Sequence, residues 1–133
     1  MTNSLLNECK TSQNPLEMEL FLERLGGKKN LAGKLIGLFL KRFKEKQAAI
    51  EKAVFDNNPE VLCASSHAFK GMLLHFCKKA ADLAYTLEKM GEYGQIDQEK
   101  ANAVLDNLQI IIDQIVPKLG NFIVILMIRF DDD

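Results

Sequence analysis

At 133 residues the chain has the size of one domain, long enough to bury a core without help from metals or disulfides. It is 47% hydrophobic and 26% charged with a formal net charge of −1, the make-up of a soluble globular protein with no basic footprint for nucleic acid. Cys9, Cys63 and Cys77 form no C-x-x-C pair and no metal-ligand spacing, which argues against zinc and for reduced thiols in a cytoplasm.

Residues 1–13 are polar and unpatterned and are expected to be a flexible N-terminus; no basic start followed by an apolar run marks a signal peptide or membrane anchor. Asn14-Pro15 reads as a helix start, and the short helix that follows turns Leu16, Leu20 and Leu25 toward a core before stopping at Gly26-Gly27. A long amphipathic helix is predicted over residues 29–54, with Leu31, Leu35, Leu38, Phe39, Phe43, Ile50 and Val54 inward. Lys41, Arg42, Lys44, Glu45, Lys46, Glu51 and Lys52 form its solvated face. Phe55 to Asn58 break the helix, and Pro59 restarts one, again behind an asparagine.

The stretch SSHAFKGMLLHFCKKAADLAYTLE, residues 65–88, is the informative one. On a helix turning ~100° per residue, Cys63, Lys70, Gly71 and Leu74 fall within roughly 60° of His67. Leu62, Ser65, Phe69, Met72, Leu73 and Phe76 fall on the opposite side, so burying Phe69, Leu73 and Phe76 turns the imidazole toward water. Glycine inside a helix costs ~0.5–1 kcal/mol relative to alanine, so Gly71 points to a partner that must approach His67 closely.

A turn is predicted around His75 to Lys78. The next helix carries Ala80, Leu83, Ala84 and Leu87 inward and ends near Met90-Gly91, followed by the loop EYGQI. The last helix starts near Asp97, packs Ala101, Val104, Leu105, Leu108, Ile111, Ile112 and Ile115, and ends close to Pro117 or Gly120. No stretch alternates at period two. The expected fold is all-α: an antiparallel four-helix bundle over residues 14–120 that includes an additional short N-terminal helix. Residues 121–133 form an apolar tail with no assigned role, whose run from Phe122 to Ile128 is far shorter than the ~20 residues a membrane helix needs.

A neutral imidazole can accept a phosphoryl group on nitrogen, and phosphoryl transfer asks mainly for positioning and charge stabilisation. Lys70, one turn from His67, supplies that charge, Gly71 leaves room, and Leu74 and Cys63 form an apolar rim. His75 reads as an ordinary surface histidine. Lys78 and Lys79 read as a solvated helix-end pair that favours the macrodipole and could attract an acidic partner surface. A metal-binding bundle fails for lack of ligands, since His67 and His75 differ in direction by roughly 80°.

HAFKG resembles the H-x-x-K-G signature of histidine-containing phosphotransfer (HPt) domains. LGGKKNLAGKLIGLFLKRF resembles that family's glycine turn and long helix, and LAYTLEKMG its leucine–glutamate helix; together the resemblance covers roughly Leu16 to Leu119. The resemblance implies a phosphorelay intermediate of two-component signal transduction, in which His67 is the phosphoacceptor and Lys70 and Gly71 support it. It implies response-regulator receiver domains and a hybrid sensor histidine kinase as partners; no nucleic-acid or membrane partner is expected from the composition. It also implies no cofactor of the chain's own, the magnesium ion residing in the receiver. Glu88 lies where some members carry a polar partner for the histidine. Met72 and His75-Phe76-Cys77 depart from the family pattern at the turn. No nucleotide loop is visible and Ala68, not an acid, follows His67, so autokinase activity is not expected. The alternative is a non-catalytic module that binds a receiver or kinase without turning over phosphate.

Overall fold

The computed structural model describes residues 21–129, without the side chains of Met127 and Arg129. The class is all-α: residues 21–24 are helical, followed by α1 (Lys29–Phe55), α2 (Pro59–Leu73), α3 (Lys78–Tyr93) and α4 (Gln98–Arg129), with no strand among the described residues. The segment 1–13 and most of the expected helix over 14–25 lie outside the described residues.

Local chemistry sets the breaks. Gly26 and Gly27 take φ of 69° and 73°, the left-handed region that ends a helix at little cost only for glycine. Asn58 caps α2: its side-chain oxygen accepts the Val61 N–H at 3.2 Å and Pro59 occupies the first turn, an arrangement worth ~1 kcal/mol. Residues 74–77 turn the chain into α3, with the N–H groups of Phe76 and Cys77 both donating to the Leu73 carbonyl at 2.9 Å. Asp97 accepts the Lys100 N–H at 3.1 Å and so caps α4.

Two helix ends differ from expectation. α3 continues through Gly91 to Tyr93 and stops at Gly94, which carries the positive φ of 92° that Gly91 lacks. α4 passes Pro117 and Gly120 and runs to Arg129, absorbing most of the expected tail. Gly120 is not left-handed and Pro117 is exposed, while buried Leu119 and Leu126 give the helix beyond the proline an inward face. α4 is also long and apolar enough to cross a membrane, a test that the core helix of a soluble bundle passes equally well.

The described residues divide into two compact units, Phe43–Ile112 and residues 21–42 with 113–129. In the latter, α1 buries Phe39 as expected, but Ala32 and Ile36 take the inward places expected of Leu31 and Leu38, which are exposed; Leu35 is half-buried. Both sets have helical spacing. The smaller alanine and the isoleucine won the inward position.

In the unit Phe43–Ile112, buried side chains come from all four helices, among them Phe43, Ile50, Leu62, Phe69, Leu73, Leu87, Leu108 and Ile111. Each large one contributes ~1.5–3 kcal/mol. Gln47 Nε2 donates to Gln109 Oε1 at 3.0 Å and Gln98 Nε2 to the Val54 carbonyl at 2.6 Å, so α1 and α4 run antiparallel here. On α2 the buried stripe is Leu62, Ser66, Phe69 and Leu73. Ser65 and Phe76 are only half-buried, and Cys77 takes the inward place expected of Phe76. On α3 the inward face is Ala80, Ala81, Ala84, Leu87, Glu88 and Gly91, with Leu83 only half-buried.

That α3 face is rich in small residues, and α2 presses into it. A Cβ at Gly91 would stand 2.5 Å from the Pro59 carbonyl oxygen and 2.6 Å from the Cys63 nitrogen, so the helices cross there backbone to backbone. At Gly71 a Cβ would meet nothing within 4 Å. The two glycines therefore predict opposite outcomes. Gly91→Ala should destabilise the protein by about 1–3 kcal/mol, because neither backbone can yield without parting the helices. Gly71→Ala should leave stability unchanged or raise it by up to ~1 kcal/mol. Thermal and urea melts of the two variants check both.

Candidate functional site

The crossing at Gly91 fixes the register of α2 against α3. With Pro59 and Cys63 held at Gly91, the next turns of α2 bring His67 to Glu88 and Lys70 to Glu88 and Tyr85. The expected site residues His67, Lys70 and Glu88 are thus brought together, and the last of these has the least conspicuous position in the sequence.

His67 is solvent-facing, its side chain 68% exposed, whereas the Glu88 side chain is 11% exposed. His67 Nδ1 lies 3.0 Å from Glu88 Oε2. Lys70 Nζ forms an ion pair at 2.7 Å with the other oxygen, Oε1. Burial pushes the Glu88 carboxyl up, but the bonds and charges of Lys70 and His67 outweigh that and hold it below its ordinary range. An ionised carboxylate only accepts hydrogen bonds, so the proton between the two groups sits on His67 Nδ1. The neutral ring then carries its lone pair on Nε2.

Lys70 is not the free ammonium that the sequence suggests. Its side chain is only 20% exposed and its Nζ stands 4.9 Å from the centroid of the Tyr85 ring as well as against Glu88. Tyr85 escaped sequence reasoning, because its meeting with Lys70 depends on the length of the 74–77 turn. Folding the chain back at Cys77 would have shown that Glu88 and Tyr85 fall opposite His67 and Lys70.

Around His67 the outer face of α2 is low. Ala64, Ala68 and Gly71 are exposed, Leu74 stands out at 51% exposure, and Cys63 is a half-buried free thiol. Lys78 is exposed and paired with Asp82 at 3.3 Å. Lys78 opens α3, so Lys78 and Lys79 lie at a helix N-terminus and oppose the macrodipole instead of favouring it. A shallow recess of about 780 Å³ lined by Pro59, Tyr85, Lys89, Tyr93 and neighbours does not include His67, which stands on open surface. Among the described residues no group of three His, Cys, Asp or Glu side chains could hold a metal ion. Compared with protein-family models, curated proteins and solved structures, the chain has no significant match in any of the three.

The buried carboxylate makes stability depend on pH. In the unfolded chain Glu88 takes up its proton near the ordinary value of ~4.3, while the folded protein resists protonation to lower pH. Between those values the unfolded state binds more protons, so this contribution is complete above the ordinary range and is lost as pH falls through the folded value. Urea denaturation between pH 7 and pH 3 should therefore show the difference in stability between the parent and Glu88→Gln shrinking as acid is added. A difference that stays constant would mean that Glu88 is not held ionised.

Proposed function

We propose that this chain is a phosphorelay intermediate: His67 accepts a phosphoryl group from the aspartyl phosphate of a receiver domain and passes it to the aspartate of another. The observation that carries this reading is the solvent-facing imidazole whose Nδ1 is held by a buried, ionised carboxylate, leaving Nε2 as the nucleophile. In the forward step the Nε2 lone pair forms the N–P bond as the P–O bond to the receiver's aspartate breaks. The aspartate leaves as a carboxylate with the bonding electrons, and the Nδ1 proton stays where it is. Positive charge develops on the ring, and Glu88 stabilises it from 3.0 Å, as a carboxylate does behind other catalytic histidines. Transfer onward reverses the same step.

The surroundings support a macromolecular partner. Alanine and glycine residues beside His67 leave the imidazole proud of the helix, which suits a receiver that must bring its phosphorylated aspartate into line. Leu74 and Cys63 offer an apolar rim, and exposed Lys78, although paired with Asp82, adds a positive group toward an acidic receiver face. Magnesium would be held by the receiver, and a hybrid sensor kinase in the cytoplasm would be the upstream source. Lys70, paired with Glu88, acts on the histidine through that carboxylate in the resting state.

Incubation with phosphorylated receivers tests the reading. The parent chain should acquire an acid-labile, base-stable label, and His67→Gln should acquire none. Gly71→Gln should fold normally yet transfer on the order of ten- to a hundredfold more slowly, since small misplacement is enough to lose in-line geometry. A chain that binds receivers but never carries the label would be an interaction module.

A further inference from the structure

Tyr85 is an aromatic residue that the core does not use: it is 46% exposed on the face of α3 that also carries Glu88 and Lys89. Its ring has two cations near it. Lys70 Nζ lies 4.9 Å from the centroid and Lys89 Nζ 5.8 Å, both within the ~6 Å at which a ring attracts an ammonium. Lys89 has its own carboxylate, Glu92 Oε1 at 2.9 Å. Lys70 has Glu88.

A lysine on a flexible four-carbon stem beside water would sample many rotamers, and ordering it against one carboxylate costs entropy. The ring restricts that freedom without adding charge. A second carboxylate in its place would draw Lys70 away from Glu88; an aliphatic residue would leave it loose. The face of the tyrosine attracts the ammonium and leaves its charge directed at Glu88 Oε1.

We propose that Tyr85 is a positioning residue of the His67 site, holding the Lys70 ammonium on Glu88 so that the carboxylate stays aligned on His67 Nδ1. Its consequence for transfer rests on the relay reading; the geometric claim does not. The test uses the whole chain with Glu88 observed by carbon-13 NMR of its carboxyl through a pH titration, beside receiver-to-His67 transfer rates. Tyr85→Leu should move the Glu88 midpoint upward and slow transfer about two- to tenfold, the range that one cation–π contact at a half-exposed site covers. Tyr85→Phe, which keeps the ring, should restore both. Lys89→Met, which removes the other cation from the ring and only a weaker charge near Glu88, should move the Glu88 midpoint less than Tyr85→Leu does. In a Lys70→Ala background Tyr85→Leu should add nothing further. Should Tyr85→Leu lose helicity, Tyr85→Met gives the same reading with a longer side chain. A Glu88 midpoint unmoved by loss of the ring, or an effect that persists without Lys70, would overturn the proposal. If the parent chain carries no phosphoryl group, the relay reading alone falls, and the Glu88 midpoint still decides the role of Tyr85.

Discussion

A carboxylate buried between two helices has to be compensated, and much of what α2 and α3 do follows from that. An ionised group taken out of water is costly unless charge and hydrogen bonds meet it, and Glu88 is met by the His67 hydrogen bond on Oε2 and by the Lys70 ammonium charge on Oε1. Those partners reach it because α2 and α3 cross closely at Gly91, where no side chain fits between the Pro59 carbonyl and the Cys63 backbone. One missing Cβ thus sets the distance, the distance sets the register, and the register puts a charge behind the histidine.

The arrangement separates two roles that a single exposed histidine could not combine. Burial of Phe69 and Leu73 anchors α2 from behind, while the face with Ala64, Ala68 and Gly71 stays low and open. Glu88 is fixed in the interior layer and reaches only Nδ1, so Nε2 is the ring nitrogen without that bond. The ammonium of Lys70 is shared between the carboxylate and the Tyr85 ring, which places it in the supporting structure more than at the reacting surface. Loss of Lys70 therefore leaves a buried carboxylate with one partner, and a role confined to transfer is less than the geometry implies.

Much of this was legible in the sequence where one residue type had one physical use. The exposed stripe of His67, Gly71 and Leu74 follows from helical spacing alone, and Asn58-Pro59 marks a helix start because the cap and the fixed proline φ both suit one. The helical class followed from periodicity. Periodicity was ambiguous where two stripes competed: on α1 the larger leucines suggested a face, but the continuous inward line runs through Ala32, Ile36, Phe39, Phe43, Gln47 and Ile50, in which small and polar members hide the pattern. Gly91 and Pro117 misled for a related reason. Both residue types commonly end helices, yet here glycine serves close approach and proline sits exposed in a helix held by packing on either side. Glu88 and Tyr85 lie across a turn from their partners, so their roles depended on a register that no local rule supplies.

The central claim is that Glu88 fixes the protonation pattern of His67, with the proton on Nδ1 and the lone pair on Nε2. Long-range nitrogen-15 correlation spectra of the imidazole, recorded where the ring is neutral, measure this directly. The structure predicts a protonated Nδ1 and an unprotonated Nε2 in the parent chain, with the preference lost in Glu88→Gln. A neutral ring that carries its proton mainly on Nε2 would contradict the account, because the Nε2 lone pair that the proposed phosphoryl transfer requires would then be absent.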